Sequence, residues 1–328
     1  MFFSSTLKDG KVLTKTSVLF VVFFLIVNVT AKAYHSTESA AVDVSSTASI
    51  NPLLPNRDAC GESFEDKIIG GTETYLEDFP WLVLLEYIKD NGKKDFYCGG
   101  ALISHQYILT AAHCLVGPPD EVRPKLISIR LGEWDLGTEI DCEEGVCSEP
   151  PQNIGVESFS VHKNYDPAKK TSPYDIGLVR MKRPVEYSVF VSPICLPLID
   201  EQVAKKSYDG QELVVAGWGK TENASHSTKK LKVNLPVVEA STCDSKYKAL
   251  NVNLMDSQFC AGGKKDKDTC AGDSGGPIMV REFKGNQVNW FATGLVSFGP
   301  RDCGTKGYPG VYTNVSSFGQ WISDNVKS

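Results

Sequence analysis

Short hydrophobic runs separated by turn-forming residues make up most of the chain from Ile68 onwards. The runs are rich in β-branched and aromatic residues, and Gly, Pro, Asn and Asp punctuate them. They cover residues 81–88, 100–104, 126–132, 176–181, 212–219, 277–280, 290–299 and 310–315. Many short strands at this spacing predict an all-β sandwich or barrel.

The last segment, residues 315–328, follows a different pattern. Its apolar residues recur at steps of three and four: Val315, Phe318, Trp321, Ile322 and Val326. This period predicts one amphipathic helix that closes the chain, with Ser316 or Ser317 as its N-cap.

Residues 1–33 have the pattern of a secretory signal peptide. Several lysines precede an apolar run at 18–29, which is too short to span a bilayer, and Ala-Lys-Ala follows at 31–33. The pattern predicts cleavage after Ala33, and the alternative is an uncleaved signal anchor. Secretion makes disulfides the default state of the ten cysteines.

Residues 34–67 are interpreted as a pro-segment that precedes the folded domain, residues 68–328. From Tyr34 to about Asn56 the chain is rich in Ser, Thr and Ala without a hydrophobic period, which predicts flexibility. With 328 residues, 41% of them hydrophobic, the chain can bury a sizeable core. A net charge of −6 without a long basic run argues against a nucleic-acid partner.

The stretch DTCAGDSGGP, residues 268–277, is the first candidate for chemistry. Its glycines allow positive φ and close approach of the backbone to another group. Ser274 can therefore expose its hydroxyl while neighbouring N–H groups converge, as an oxyanion hole requires. The alternative is an ordinary glycine-rich turn.

A serine nucleophile needs a general base, and His113 is the best placed of the five histidines. It lies in LTAAHC, after an apolar run and before a cysteine. Asp175 begins the apolar run DIGLVRM, where a carboxylate is costly to bury without a partner. Taken singly, His113 is equally a structural histidine and Asp175 a turn residue or cap.

Together, in the order His, Asp, Ser, these stretches resemble the chymotrypsin-like (trypsin-fold) serine proteases. The stretches KIIGG, CGGALIS, LTAAHC, YDIGLVRM, VSPICLP, VAGWG, DTCAGDSGGP and PGVYTNV carry the resemblance across residues 68–328. It implies two six-stranded antiparallel β-barrels and a C-terminal α-helix. It also implies His113 as general base, Asp175 as its orienting group, Ser274 as nucleophile, and the N–H groups of Gly272 and Ser274 as oxyanion donors.

The resemblance also implies specificity for Arg and Lys. Asp268 matches the position at the bottom of the primary pocket, and Gly299 and Gly310 match two wall positions that keep the pocket open. A buried carboxylate there would bind a cationic side chain. Without the resemblance, Asp268 would be one more surface charge in the run KKDKD.

The Lys67–Ile68 bond matches the family's activation site. Cleavage would free the Ile68 amine, which in the family folds inward and pairs with the carboxylate beside the nucleophile, here Asp273. The intact chain would then be a zymogen. Its activator would prefer a basic residue, or the enzyme would activate itself.

The cysteines fit a set of five bridges. The resemblance implies Cys98–Cys114, Cys243–Cys260, Cys270–Cys303 and a tether from the pro-segment, Cys60–Cys195. Cys142 and Cys147 lie five residues apart in one loop and most simply pair with each other. Spacing alone would not choose among the many pairings.

The insertion at residues 131–157 resembles the arthropod clip-domain proteases of the Easter and prophenoloxidase-activating type. That resemblance implies an extracellular cascade of melanisation, Toll signalling or coagulation. It also implies a protein substrate, either another zymogen or a pro-ligand, together with an upstream activating protease and a serpin-type inhibitor. A clip domain carries six cysteines and residues 34–67 carry one, so the chain resembles a clip-type catalytic domain without its clip. We expect no membrane partner and a monomer of two disulfide-linked chains after activation.

Two surface features complete the predictions. Glu133, Asp135, the Thr138 carbonyl and Asp141 match the family's calcium loop, and hard oxygen ligands suit that ion. The alternative is a solvated acidic loop held by its disulfide without metal, and catalysis itself calls for no cofactor. The glycosylation sequons are those of Asn223 and Asn314.

Two other functions stay open. A digestive or venom protease would share the specificity, although a tethered pro-segment is unusual for a digestive enzyme. A pseudo-protease cofactor would be the non-enzymatic alternative, which the intact set of three residues disfavours.

Overall fold

The structure is a computed structural model that describes residues 51–62, 72–169, 171–221, 224, 226–264, 269, 272–300 and 304–328. The strands are β1 (Thr72–Glu73), β2 (Leu82–Ile88), β3 (Lys94–Leu102), β4 (Tyr107–Thr110), β5 (Lys125–Leu131), β6 (Cys142–Glu143), β7 (Val146–Cys147), β8 (Gln152–Val161), β9 (Gly177–Met181), β10 (Glu212–Gly217), β11 (Leu231–Val238), β12 (Gln258–Ala261), β13 (Pro277–Lys284), β14 (Gln287–Phe298) and β15 (Gly310–Asn314). The α-helices are α1 (Glu201–Ala204), α2 (Ala240–Lys248) and α3 (Gly319–Asn325). Short 3-10 helices cover Arg57–Ala59, Ala112–Cys114, Pro197–Ile199 and Val315–Phe318.

The first barrel closes in the order β2-β3-β4-β9-β8-β5, and every pairing in it is antiparallel. Its interior is apolar because side chains such as Leu85, Ile108, Ile129 and Val179 are fully buried. The register of β2 shifts on both sides of Glu86. Such irregularities increase the local twist, which helps a small sheet to close on itself.

The second barrel follows the order β11-β10-β13-β14-β15-β12 and closes through the β11–β12 pairing. The short β1 adds to its β11 edge. Leu235, Ile278, Phe291 and Tyr312 fill its interior and are fully buried. The predicted architecture of two six-stranded antiparallel barrels is therefore confirmed.

Every predicted strand is present, but some strands lacked a hydrophobic run to reveal them. In β8 only Ile154 is buried, so most of the strand reads as polar. In β11 the buried positions include Lys232, and Pro236 interrupts the pattern that usually marks a strand. Both strands exist because neighbouring strands pair with them, a contribution that residue patterning does not record.

The C-terminal helix begins differently from the prediction. Val315–Phe318 is a 3-10 helix, and α3 follows it at Gly319. The N-cap is Asn314, whose Oδ1 accepts a hydrogen bond from the Ser316 N–H at 3.1 Å, so the assignment to Ser316 or Ser317 was wrong. Asn314 ends β15 directly, and its side chain is therefore closest to the N–H groups that need an acceptor.

The predicted flexibility up to Asn56 was wrong for residues 51–56. Residues 51–62, here called the anchor segment, pack on the folded domain. Asn51 Nδ2 donates to the carbonyls of Ser323 and Val326 at 2.7 Å, and Leu54 is buried. Polar residues with few apolar neighbours can still be ordered when each makes a specific contact elsewhere. The predicted signal peptide and the activation bond lie outside the described residues.

In the part of the chain that the structure describes, none of the helices has both the length and the apolar character needed to cross a bilayer.

Candidate active site

His113 is held by its backbone as well as by its ring. It lies in the 3-10 helix that follows β4, between the buried residues Ala112 and Cys114. The Cys98–Cys114 disulfide ties this turn to β3. The His113 N–H donates to Asp175 Oδ1 at 2.9 Å. The imidazole therefore starts from a fixed main-chain position.

Asp175 immediately precedes Ile176 and β9, and it contacts the histidine a second time. His113 Nδ1 lies 2.8 Å from Asp175 Oδ2. The second barrel completes the shell, because Ser297 Oγ donates to the same oxygen at 2.5 Å and Thr313 Oγ1 donates to the Asp175 carbonyl at 2.9 Å. The Asp175 side chain is 5% exposed, whereas that of His113 is 28% exposed. The carboxylate is thus sealed and the imidazole reaches the surface.

The two groups shift each other's pKa in opposite directions. Burial alone would lower the pKa of His113, but the charge and hydrogen bond of Asp175 outweigh burial and raise it. Burial alone would raise the pKa of Asp175, but the charge of His113 and the hydrogen bonds from His113 and Ser297 lower it. The carboxylate therefore stays ionised and stabilises a protonated imidazole beside it.

Ser274 lies in a tight turn that leads into β13. Gly272 and Gly275 have φ of +102° and +76°. A Cβ on Gly275 would lie 2.2 Å from Thr110 Oγ1, so the turn requires glycine there. The Ser274 carbonyl accepts from the Gly99 N–H at 2.8 Å. This contact docks the serine turn of the second barrel against β3 of the first.

The Cys114 sulfur lies close to both Ser274 and His113. Cys114 Sγ lies 3.6 Å from the Ser274 carbonyl oxygen and 3.8 Å from His113 Nε2. Among the described residues, no hydrogen bond joins the Ser274 and His113 side chains. Hydrogen bonds of this kind are often long in proteins without substrate and tighten when it binds.

Asp273, beside the serine, faces the loop that follows β10. Its Oδ1 accepts from the Gly219 N–H at 2.9 Å. A Cβ on Gly219 would lie 2.3 Å from Asp273 Oδ2, so a side chain at position 219 would displace the carboxylate from this contact. Lys67 and Ile68, the predicted activation residues, lie outside the described residues.

The two predicted pocket walls are neighbours. A Cβ on Gly299 would lie 3.6 Å from the Gly310 Cα, which brings the end of β14 and the start of β15 together. Asp268 lies outside the described residues. The next residue, Thr269, has its Oγ1 3.1 Å from the Tyr312 hydroxyl on β15.

Four disulfides occur in the described residues, and each is one of the predicted pairs. They join Cys60 to Cys195, Cys98 to Cys114, Cys142 to Cys147, and Cys243 to Cys260. The fifth predicted pair, Cys270–Cys303, lies outside the described residues. The first pair fixes the anchor segment to the second barrel.

The predicted calcium ligands fall into two groups. Glu133 and Asp141 are buried, and both accept a hydrogen bond from the Trp134 N–H. The Trp134 nitrogen lies 3.0 Å from Glu133 Oε1 and 2.9 Å from Asp141 Oδ2. Burial raises the pKa of Glu133, Arg130 opposes this shift and the Asp141 charge adds to it. Two buried carboxylates in one loop have the donor chemistry of a calcium site.

The other two predicted ligands belong to a local turn. The Asp135 carbonyl accepts from the Thr138 N–H at 3.0 Å, and the Thr138 hydroxyl donates to Asp141. Arg130 Nη1 already lies 3.0 Å from Glu133 Oε2. A calcium ion would have to share these oxygens or displace the guanidinium.

Of the two sequons, Asn314 is half-buried and caps the C-terminal helix, and Asn223 lies outside the described residues.

Sequence reasoning missed three residues of the site: Ser297, Thr313 and Arg123. Ser297 and Thr313 lie inside predicted strands, where a hydroxyl among apolar residues carries no special signal. Arg123 lies in a polar loop, and its Nη1 donates to the His113 carbonyl at 2.7 Å. Only the way the chain folds brings these groups to the histidine.

Comparison with known proteins agrees with this geometry. The family model described as Trypsin matches residues 68–322. The chain belongs to the trypsin family of serine proteases. Membership makes it a hydrolase, with the two-barrel fold found here. The match begins at the residue that follows the predicted activation bond.

Individual relatives come from insects. The CLIP domain-containing serine protease HP8 of Bombyx mori is 45% identical over 275 residues, which cover 84% of this chain and 73% of the relative. Phenoloxidase-activating factor 3 of Holotrichia diomphalia is 44% identical over 286 residues, covering 86% and 79%. The crystal structure of Drosophila Grass, a clip serine protease of the Toll pathway, superposes with a TM-score of 0.70 at 37% identity, covering 81% and 73%. These similarities extend the family assignment to the clip-domain branch.

Proposed function

We propose that this trypsin-family protease cleaves protein substrates after Arg or Lys, with His113, Asp175 and Ser274 as its catalytic triad. The observation that carries the proposal is the His113–Asp175 pair. A buried carboxylate bonded twice to a partly exposed histidine is the arrangement that a general base requires.

The reaction would follow from this arrangement. Ser274 Oγ attacks the scissile carbonyl carbon while His113 Nε2 takes the hydroxyl proton. Asp175 holds the proton on Nδ1 and stabilises the imidazolium. The N–H groups of Gly272 and Ser274 bind the oxyanion. His113 then gives its proton to the leaving amine, which leaves an acyl group on Ser274. In the second half of the reaction, His113 takes a proton from water, the water oxygen attacks the acyl carbon, and Ser274 leaves with the proton from His113.

Substrate selection would depend on Asp268 at the base of the pocket. The close approach of Gly299 and Gly310 supports a pocket without side chains on its walls at these positions. A long cationic side chain could then reach the carboxylate.

The same proposal includes activation and location. A secreted zymogen would be cut at Lys67–Ile68, and the new ammonium of Ile68 would pair with Asp273. The support is the position of Asp273 next to Ser274 and its hydrogen bond to the Gly219 N–H, which places the carboxylate against glycine backbone. After cleavage, Cys60–Cys195 would keep the anchor segment attached.

We also propose a place in an extracellular defence or Toll-type cascade. The support is the nature of the relatives, which include a phenoloxidase-activating factor and a protease of the Toll pathway. The partners would be a protein substrate, an activating protease and a serpin-type inhibitor.

A structural calcium ion is a further part of the proposal, with Glu133 and Asp141 as its carboxylate ligands. Its role would be to fix the loop that the Cys142–Cys147 disulfide borders. Thermal unfolding in calcium and in EDTA tests it: calcium should raise the Tm of the wild type but not that of Glu133→Gln. Equal wild-type Tm values would contradict calcium binding.

The decisive experiment is an activity assay before and after cleavage at Lys67–Ile68. The substrates are short peptides that end in Arg, Lys, Phe or Ala, and Ser274→Ala is the control. Turnover of Arg and Lys peptides only after cleavage is the expected result. Absence of turnover in verified two-chain protein, with calcium present, would contradict the proposed function.

A further inference from the structure

The loop between His113 and β5 carries an arginine that lies against the proposed general base. We infer that Arg123 is a specificity-determining residue, which binds an acidic side chain of the substrate next to the scissile bond. This inference rests on the proposed function, because it describes the substrate of the same site.

Specific contacts define the position of the Arg123 side chain. Its Nη1 donates to the His113 carbonyl at 2.7 Å. A Cβ on Gly117 would lie 1.9 Å from Arg123 Nε, so the side chain crosses directly over a glycine. A side chain at position 117 would therefore require the Arg123 side chain to take another path.

Neighbouring donors hold the same stretch of backbone. The Tyr87 hydroxyl donates to the Cys114 carbonyl at 2.8 Å, and the Tyr165 hydroxyl donates to the Val116 carbonyl at 3.4 Å. Together with Arg123, these side chains fix the carbonyls that follow the base. A guanidinium anchored in this way presents its charge in a defined place.

Arg123 retains capacity to bind a second anion. A guanidinium has five N–H donors, and one group is engaged with His113. In the described structure its other contact is with Glu121 Oε2, 3.4 Å from both Nε and Nη2. The Arg123 and Glu121 side chains are 40% and 57% exposed, and such long, exposed pairs contribute little. An incoming carboxylate can therefore compete with Glu121.

The positive charge of Arg123 also affects the pKa of His113. Burial and Arg123 lower the pKa of His113, whereas Asp175 raises it and prevails. Among the described residues, the charged groups that act on the imidazole are Asp175 from the first barrel and Arg123 from the loop. Glu121 contacts the guanidinium, and the charge of Arg123 lowers the pKa of both Tyr87 and Tyr165, although burial raises both overall. Removing Arg123 should therefore let the pKa of His113 rise further.

The test uses the full chain cleaved at Lys67–Ile68 and peptides cleaved after Arg. Each peptide carries Asp or Asn at one position, scanned over the two residues on either side of the scissile bond. The quantity compared is the ratio of kcat/KM for Asp over Asn. The variants are Arg123→Gln, Arg123→Lys, Gly117→Ala and Glu121→Gln. The matched control is Lys125→Gln, which removes an exposed charge two residues away.

We expect the wild type to favour Asp by roughly 2- to 5-fold at one position, the upper part of the range for a partly exposed ion pair. Arg123→Gln should bring the ratio to about one. Gly117→Ala, which displaces the guanidinium without removing its charge, should lower the ratio less, and Arg123→Lys should retain part of it. Glu121→Gln should increase the ratio, and Lys125→Gln should leave it unchanged. Arg123→Gln should also move the acid limb of the pH profile to higher pH, which a loss of folding would not do.

Two results would overturn the inference, and they are distinguishable. Ratios near one at every position in the wild type, or an unchanged ratio in Arg123→Gln, would remove Arg123 from substrate selection and leave the proposed function intact. Absence of wild-type turnover on all Arg peptides would overturn the proposed function and this inference together.

Discussion

Asp175 and Asp200 are two buried carboxylates with similar surroundings and different partners. Their side chains are each 5% exposed, and each lies within 3 Å of a nitrogen that carries or can take a positive charge. Asp200 Oδ2 lies 2.9 Å from Arg57 Nη1 and 3.4 Å from Lys284 Nζ. Burial opposes ionisation of both groups, yet hydrogen bonds and nearby positive charge lower the pKa of each.

The difference lies in whether the partner can change its charge. Arg57 is 9% exposed and carries a fixed positive charge, so its pair with Asp200 is suited to holding the anchor segment in place. His113 is more exposed, and an imidazole titrates near neutral pH. Two pairs with similar distances therefore differ in role: one is suited to fixing structure and the other to moving a proton.

The largest effect expected from this comparison is that of Asp175→Asn. An amide would donate to Nδ1 or leave it unpaired, which favours the wrong tautomer of His113. We expect kcat on Arg peptides to fall about 10⁴-fold, the loss found for the same change in a related triad. The matched variant Asp200→Asn should keep kcat per folded molecule within about 2-fold. Comparable losses of kcat in both variants would contradict the assignment of one pair to structure and the other to proton transfer.

The second prediction concerns stability. Arg57→Met should lower the free energy of unfolding by about 3 kcal/mol, because Asp200 would stay buried without its main cation. Lys284→Gln should have a far smaller effect on the free energy of unfolding. The Lys284 side chain is 63% exposed, so water already screens its interaction with Asp200. Thermal unfolding of the cleaved protein measures both changes. An unchanged Tm in Arg57→Met would show that the Arg57–Asp200 pair does not stabilise the folded protein.

The third prediction tests the contribution of the second barrel to the base. Ser297→Ala removes one donor to the ionised Asp175, a contact of about 2 kcal/mol. We expect kcat to fall roughly 30-fold, with KM for a short Arg peptide changed less. Thr313→Ala, which affects only the Asp175 carbonyl, should have a smaller effect. A Ser297→Ala enzyme with normal kcat would mean that the Ser297 hydrogen bond does not contribute to the action of Asp175.

The smallest effect is the pH dependence of the intact enzyme. The base must be neutral to accept a proton, so kcat/KM should fall as pH drops through the pKa of His113. That pKa is raised above its ordinary value of about 6.5, so the decline should begin above that pH. In Asp175→Asn the residual activity should decline at lower pH, since burial and Arg123 then act without the carboxylate. A wild-type midpoint below 6.5 would contradict the raised pKa.

Much of the fold was predictable because short alternating runs record which positions are buried. Strands such as β2 and β14 came directly from such runs, and the order of His113, Asp175 and Ser274 identified the candidate site. By contrast, β8 exposes most of its side chains and β11 buries a lysine, so neither pattern indicated a strand. The anchor segment was missed because Arg57 and Asn51 are polar residues whose partners lie far along the chain.

The sequence by itself determined the local preferences of the chain: where strands begin and end, where glycine permits a tight turn, and which groups could do chemistry. Tertiary structure decided the partner of each buried charge. Asp175 meets His113 from 62 positions away and Ser297 from 122, and Arg57 meets Asp200 across 143. A buried charge is stabilised by whichever groups the fold brings to it, and local residue patterns record burial without recording distant neighbours.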